Sequence, residues 1–338
     1  MNVEIVESKE IWNSILDRSS NGTLFHDLEW LKISARYATK NFLGKRVPCK
    51  FYPLVVFKGE EPIGALPAFM FKHAGIKLLL SPPHGVENYY LGPLFVEFPN
   101  AKRSKIERYF LDFWKAIDEY VATNFSPSYI LIHTSPGILD ARPFKWCGYY
   151  VEPRYTYVVD LNRRLEDVWL QLSRSLRRDI KKAWKIFEIR SAKLEDLSAL
   201  YDIMRKRGRI HCSLDYLGEI FKTFNKNIVA FVAEFEGEVV SGIVNLIYRN
   251  RVQFWIGLPR VDLPTSPNGS LLWSSIEWAK AQGYGVYEIM SAEEYELFPF
   301  KSKFNANLEI YFSVRKFGAF ARILSCIREV VKGDEVPR

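Results

Sequence analysis

The stretch FKGEEPIGAL, Phe57–Leu66, occurs again in similar form as FEGEVVSGIV, Phe235–Val244. In each copy two apolar, strand-like runs flank a Gly-containing turn, which is the pattern of a β-hairpin. The aligned glycines are Gly59 with Gly237 and Gly64 with Gly242. The hairpins alone could match by chance, because Gly-Glu turns are common, so the neighbouring segments decide whether the chain is duplicated.

Those neighbours repeat in the same order in both halves of the chain. A helix start precedes each hairpin, LEWLK in the first half and LDYLG in the second. A long amphipathic helix and a short strand follow each hairpin. The predicted pairs are helices Ser104–Asn124 and Asn268–Gln282, and strands Tyr129–Ser135 and Tyr287–Glu293. The order favours two copies of one α/β unit, an α+β class with mixed sheets.

Length and composition agree with two domains in one folded chain. The 338 residues exceed what one hydrophobic core usually serves, and 48% of them are hydrophobic. Pro153 interrupts two strand-like runs, so we place the boundary there. The predicted domains are residues 1–153 and 154–316, followed by a C-terminal helix and tail at 317–338.

The charge predicts an anionic partner. The formal net charge is +8, which suits nucleic acid, anionic lipid or a nucleotide-linked substrate. The four cysteines form no CxxC pair, so we expect neither a structural zinc site nor another metal. The N-terminus lacks a signal-peptide core, and no apolar run approaches the ~20 residues of a membrane span. We therefore expect a cytoplasmic protein without a transmembrane segment.

Much of the positive charge lies in LSRSLRRDIKKAWK, Leu172–Lys185. Apolar residues at steps of three and four predict one amphipathic helix over Glu166–Phe187, with its basic residues opposite the apolar stripe. Two interpretations remain open for this basic face: a solvated surface, or a contact with an anion.

Several motifs in the second half resemble those of the FemAB/FemX-like branch of the GNAT superfamily of N-acyltransferases. They occur in the order TYVVDL, LRRDIKKAWK, GEVVSGIVN, PNGSLLWSSIEWAKAQGY and FPFKSKFNANLEIY. The resemblance implies two tandem GNAT-like acyltransferase domains. It also implies transfer of an aminoacyl or acyl group from aminoacyl-tRNA or an acyl thioester such as acyl-CoA to an amine. The acceptor would be a cell-envelope or glycan precursor, including a nucleotide-linked one, and no tightly bound cofactor is implied.

The resemblance and the residue chemistry together suggest a catalytic group. Lys301 matches the active-site lysine of the family pattern, and its fixed charge would stabilise a tetrahedral oxyanion. Glu293 and Glu294 lie at the end of a predicted strand and are candidates to accept the proton of the amine. Glu234, in the hairpin, is the other choice for that base.

The binding candidates fall into two sets. The segment Pro267, Asn268, Gly269 and Ser270 begins a helix, where backbone amides can hold a phosphate of the donor. It replaces the usual acyl-CoA signature of GNAT proteins, Gln/Arg-x-x-Gly-x-Gly/Ala. The predicted substrate-binding residues are Arg177, Arg178, Lys182, Arg207, Tyr295 and Phe300. Arg177 and Arg178 match an arginine pair of the family.

Two other functions fit parts of the pattern. One is a CoA-dependent acetyl- or acyltransferase acting on a small amine. The other is a non-enzymatic basic module that binds RNA or another anion, which the aromatic residues and the basic groove permit.

Overall fold

The computed structural model describes residues 1–318 except 43–44, 194, 207–211, 258–262, 264 and 291. This chain divides into two compact units, Met1–Pro153 with the chain from Tyr311 onward, and Arg154–Ile310. The sequence assigned residues 154–316 to the second domain, whereas Tyr311 and the strand residues after it contact the first unit. The predicted C-terminal helix and tail lie, from residue 319 onward, outside the described residues.

Both units contain a β-sheet. In chain order the strands are β1 (Asn2–Ile5), β2 (Thr39–Phe42), β3 (Lys45–Lys58), β4 (Glu61–His73), β5 (Ile76–Ser81), β6 (Leu94–Phe95), β7 (Tyr129–His133), β8 (Tyr150–Asp160), β9 (Glu188–Ser191), β10 (Ile228–Phe235), β11 (Glu238–Tyr248), β12 (Arg251–Gly257), β13 (Val286–Glu288) and β14 (Asn307–Phe317).

Helices pack on the strands in both units. In chain order they are α1 (Lys9–Arg18), α2 (Leu28–Tyr37), α3 (Arg103–Asn124), α4 (Arg142–Trp146), α5 (Leu165–Gln171), α6 (Arg174–Ala183), α7 (Asp196–Lys206), α8 (Leu214–Thr223), α9 (Asn268–Ala281) and α10 (Phe298–Lys301). None of the helices described is long and apolar enough to cross a membrane.

The two units have the same sheet topology. The first unit has the strand order β1-β3-β4-β5-β7-β14, and the second has β9-β10-β11-β12-β13-β8. The parallel pair is β5 with β7 in the first unit and β12 with β13 in the second. A helix joins the strands of each parallel pair, α3 in the first unit and α9 in the second. The structure therefore confirms the repeated α/β unit with mixed sheets.

The aligned glycines have equivalent roles in the two units. Gly59 and Gly237 lie in the hairpin turns with φ of 63° and 79°, a backbone region that favours glycine. Gly64 and Gly242 lie where a Cβ atom would meet another atom at 2.6 Å and 2.5 Å. The hairpin motif thus repeats because both its turn and its packing exclude larger residues.

The single helix predicted over Glu166–Phe187 is wrong, because the structure has two helices there. Leu172 is extended, with φ −58° and ψ 143°, and Ser173 caps α6 by accepting a hydrogen bond from Leu176 N at 3.2 Å. Ser173 N donates instead to Lys303 O at 2.8 Å. A distant segment of the chain therefore ends α5 and fixes the start of α6.

The core of the second unit lies between its sheet and helices α6 and α9. Leu176, Ile180 and Ala183 of α6 are buried beside Leu271 and Ile276 of α9. Burial of each large side chain of this kind contributes about 1.5–3 kcal/mol. The basic residues of α6 remain on its opposite side.

Candidate active site

The parallel strands β12 and β13 separate in the second unit. Their last paired residues are Gln253 and Glu288, and β12 then continues to Gly257 while β13 ends. The chain after β13 turns at Met290, which has a left-handed φ of 58°. An opening at the carboxyl ends of parallel strands is the usual ligand site of open α/β sheets.

Lys301 is buried beside this separation. Its residue is 4% exposed, and Nζ donates hydrogen bonds to Met290 O at 2.8 Å and Ile289 O at 3.4 Å. Nζ also lies 5.7 Å from the centroid of the Phe254 ring. Burial lowers the pKa of the Lys301 ammonium to about 8, partly opposed by the charge of Glu294. The side chain therefore provides a fixed cation at neutral pH.

Polar residues not anticipated from the sequence lie at the end of the strand pair. Glu288, fully buried, accepts hydrogen bonds from Thr156 Oγ1 at 2.7 Å and Arg251 Nη1 at 2.8 Å. Arg251 Nη2 also donates to Glu309 Oε2 at 2.7 Å. Gln253 Nε2 lies 3.0 Å from Met290 Sδ. The alternation of side chains along RVQFWIG places Arg251 and Gln253 on one face of β12. This alternation is the feature of the sequence that could have predicted them.

The two candidate bases differ in their surroundings. Glu293 accepts hydrogen bonds from Tyr155 N at 2.7 Å and Arg154 Nη1 at 3.2 Å, so its carboxylate is held at the edge of β8. Glu294 is exposed, and its charge acts on Lys301. Glu234, the other candidate base, forms an ion pair with Arg190 at 2.5 Å. That ion pair connects β10 to β9.

The segment that begins α9 is largely buried by the protein itself. Pro267, Gly269 and Ser270 are buried, whereas Asn268 is half-buried. Ser270 Oγ donates to Pro267 O at 2.8 Å. A Cβ on Gly269 would lie 3.1 Å from Leu176 Cδ1. Gly269 therefore permits the close packing of α9 against α6, and Asn268 is the member of this set with accessible surface.

The basic residues of α6 lie on the side of that helix opposite the residues that pack against α9. Arg178 and Lys182 are exposed, and Arg177 is half-buried. The nearest acidic contact of this group is Asp179 Oδ1, 3.9 Å from Arg178 Nε. Arg207, the remaining predicted basic residue, lies outside the described residues.

The segment that carries Lys301 is hydrogen-bonded to the end of α5. Asn305 Nδ2 donates to Gln171 O at 2.7 Å, and Gln171 Nε2 donates to Asn305 O. Asn305 has a left-handed φ of 50°, a conformation that Asn adopts more readily than most residues. Phe300 is half-buried against Phe304, with ring centroids 5.6 Å apart, while Tyr295 is 88% exposed.

In the first unit the equivalent separation of parallel strands is filled. Beyond Ser81 of β5, Leu91 forms a bridge with Thr134, and Leu91 N donates to His133 O at 2.8 Å. Gly92 packs there, where a Cβ would lie 2.7 Å from Thr134 Cα. The backbone of residues 91–92 thus lies at the separation of β5 and β7.

Known proteins share the fold of this chain and part of the sequence of its second unit. Residues 171–302 match the model of an acetyltransferase (GNAT) domain. The crystal structure of FemX superposes with a TM-score of 0.64 at 13% identity, over 92% of this chain and 97% of that chain. The C-terminal domain (DUF2156) of a putative lysylphosphatidylglycerol synthetase from Agrobacterium fabrum gives 0.57 at 12% identity, over 95% of each chain.

A tandem GNAT protein from the clavulanic acid biosynthesis pathway gives a TM-score of 0.57 at 10% identity, over 94% of this chain and 98% of that chain. None of the curated proteins compared with the sequence matches it. The fold and the matched domain define an acyltransferase. Residues 171–302 resemble a GNAT domain in sequence, and the two-unit fold is similar to those of FemX and the tandem GNAT protein.

Proposed function

We propose that the second unit transfers an aminoacyl or acyl group from an activated donor to an amine, at the separation of β12 and β13. The observation that supports this most directly is the burial of the Lys301 cation there. Burying an ammonium is costly, and perturbed lysines of this kind concentrate at functional sites.

The reaction needs one bond to form and one to break. The amine nitrogen attacks the carbonyl carbon of an ester or thioester, and the tetrahedral intermediate then expels the hydroxyl or thiol of the donor. Lys301 stabilises the negative oxygen of that intermediate. Glu294, or a water molecule beside it, accepts the proton of the amine, and the leaving group is protonated as the C–O or C–S bond breaks. Glu293 is the less accessible choice for this base because its carboxylate is already bound.

Aminoacyl-tRNA is the donor that the basic face of α6 favours. Arginine and lysine side chains on one helix face suit a phosphate backbone, and Arg177 and Arg178 lie on the helix that packs against α9. The alternative donor is an acyl thioester, which the family description as an acetyltransferase supports. For the acceptor we propose an amine of a cell-envelope or glycan precursor, with the FemX-like fold as support.

Donor binding at two salt concentrations tests the proposal. We expect the purified protein to bind tRNA, and charge reversal by Arg177→Glu with Arg178→Glu to lower the slope of log K against log salt by about 2 between about 50 and about 200 mM salt. The matched control is Lys32→Glu with Lys115→Glu, which makes the same charge change on exposed residues of the first unit.

Each outcome separates the donors. An unchanged salt slope in the α6 variant would show that tRNA does not bind to the basic face of α6. Saturable coenzyme A binding without tRNA binding would identify the thioester as donor. If neither binds, the donor assignment is wrong.

A further inference from the structure

The first unit contains a cavity that the proposed transfer does not use. Its volume is about 540 Å³, within the about 300–1,000 Å³ typical of small-molecule sites. It lies between the first turns of α3 and the chain that follows β7. All the residues that line it belong to the first unit. The apolar part of the lining is Phe95, Phe98, Ile106, Phe110, Ile138 and Leu139.

The duplicated topology gives this cavity a counterpart. In the second unit the first turn of α9 and the chain after β13 border the separated strands, as α3 and the chain after β7 border the cavity. The first unit has filled its strand separation with residues 91–92, yet it keeps an open space beside the equivalent helix.

The charges around the cavity favour a positively charged ligand. Glu107 accepts from Arg103 Nε at 2.9 Å and lies 3.1 Å from Arg142, and Asp140 is bound by Arg142 through both of its oxygens. Glu97 is exposed and also lines the cavity, and among the described residues its carboxylate has neither a hydrogen bond nor an ion pair. One uncompensated negative charge therefore remains at the cavity.

The aromatic walls also favour a cationic ligand. Phe95 lies 5.0 Å from Phe110 and 5.7 Å from Phe98, measured between ring centroids. Ring faces attract cations, and the apolar walls accept a hydrocarbon body. Leu139, 79% exposed, borders the cavity, so a ligand can reach it from solvent.

We infer that this cavity binds a small organic cation, an ammonium group carried on an aromatic or aliphatic body. The ammonium pairs with Glu97, and the body packs among the phenylalanine rings. This site is independent of the proposed acyl transfer.

A titration of the full chain with 2-phenylethylammonium tests the site, followed by the methyl NMR signals of Ile106 and Ile138. We expect saturable shifts of these signals and an affinity order of 2-phenylethylammonium above 2-phenylethanol above 3-phenylpropionate. Glu97→Gln should weaken ammonium binding about fivefold and leave binding of the alcohol unchanged. Leu139→Ser should weaken both ligands.

The control variant is Glu60→Gln, which removes a carboxylate from the exposed hairpin turn and should bind all three compounds as the wild type does. Equal affinity for the ammonium and the alcohol would overturn the inference. So would an absence of shifts at Ile106 and Ile138, or a loss of binding in Glu60→Gln equal to that in Glu97→Gln.

Discussion

Lys301 shows how hydrogen bonds offset part of the cost of burying a charge. Two carbonyls, of Ile289 and Met290, accept from its ammonium, and the left-handed backbone of Met290 follows β13 directly. Hydrogen bonds to the charged form replace part of the lost hydration. The pKa remains near 8, so the residue is mostly protonated at pH 7 and still close to titration.

Replacing Lys301 with Met should lower the transfer rate by about 10²–10³, because the oxyanion loses its cation. The wild-type rate should fall as pH rises through about 8, since the cation is present below its pKa and lost above it. Steady-state aminoacyl or acyl transfer measured across this range checks both effects. Lys303→Met, two residues away and half-buried, is the control. Near-normal turnover of Lys301→Met would refute the role of the cation.

His26 is a buried histidine that is neutral in the folded protein. Its Nδ1 accepts from Thr23 N at 3.2 Å, and its Nε2 lies 3.1 Å from Leu91 O, to which Nε2–H donates in this tautomer. Burial lowers its pKa to about 4 from 6.5. The residue therefore fixes Leu91, which fills the strand separation of the first unit.

The first unit should lose about 3 kcal/mol of stability between pH 6.5 and 4 through His26. In this window the unfolded state binds the proton and the folded state does not, so stability falls as pH falls. Urea unfolding of wild type and His26→Gln at several pH values measures the difference. We expect a shallower pH dependence in His26→Gln. The same slope in His26→Gln and wild type would contradict the assignment.

At the scale of elements, the hairpins depend on close contact at one glycine. A Cβ on Gly64 would lie 2.6 Å from both Leu94 O and Phe113 Cε2, so β6 and α3 approach β4 only because that atom is absent. Gly242 has the same relation to Phe231 O, at 2.9 Å. These contacts explain why both copies retain the second glycine.

Gly64→Ala should therefore destabilise the protein by about 1–3 kcal/mol through overpacking. Gly218→Ala is the matched control, because a Cβ there meets none of the described atoms within 4 Å and alanine favours the helix by about 0.5–1 kcal/mol. Urea denaturation of both variants should give opposite signs. Equal stability of Gly64→Ala and wild type would show that the contact is relieved by small shifts.

The elements also show what the sequence could predict. The hairpins and helices α3 and α9 follow from local turns and apolar periodicity, and the structure has them. The division between α5 and α6 could not be predicted, because the apolar stripe continues through it and its cause, the Ser173–Lys303 hydrogen bond, joins distant segments. Gly269 is similar: the sequence marks a helix start, but its packing against Leu176 requires the tertiary structure.

Within the candidate site, the sequence singled out Lys301, and the structure buries that residue. Its catalytic role stays a prediction. The network of Glu288, Arg251 and Thr156 was not anticipated, because each of these residues is unremarkable in its own strand. Their connection comes from strands that pair only in the folded unit.

For the molecule as a whole, the order of strands differs from the order of the chain. The last strand of the sheet in the first unit is β14, from near the C-terminus, whereas the equivalent strand of the second unit is β8. The first unit is thus completed by a strand from outside its main run of sequence, whereas β8 lies at the start of the run that forms the second unit. Since β14 begins before Tyr311, one strand contributes residues to both units.

The first unit should therefore depend on residues that follow the second unit in sequence. Val314 is fully buried and pairs with Ile132 of β7, so Val314→Ala should cost about 2 kcal/mol through the cavity it leaves. Amide hydrogen exchange should become faster at Ile130 and Ile132. Leu308→Ala, on the same strand but at an exposed position of the second unit, should leave exchange in β7 unchanged. Unchanged amide hydrogen exchange in β7 of Val314→Ala would show that β14 does not stabilise the first unit. The pairing of β14 with β7 would then have no energetic consequence.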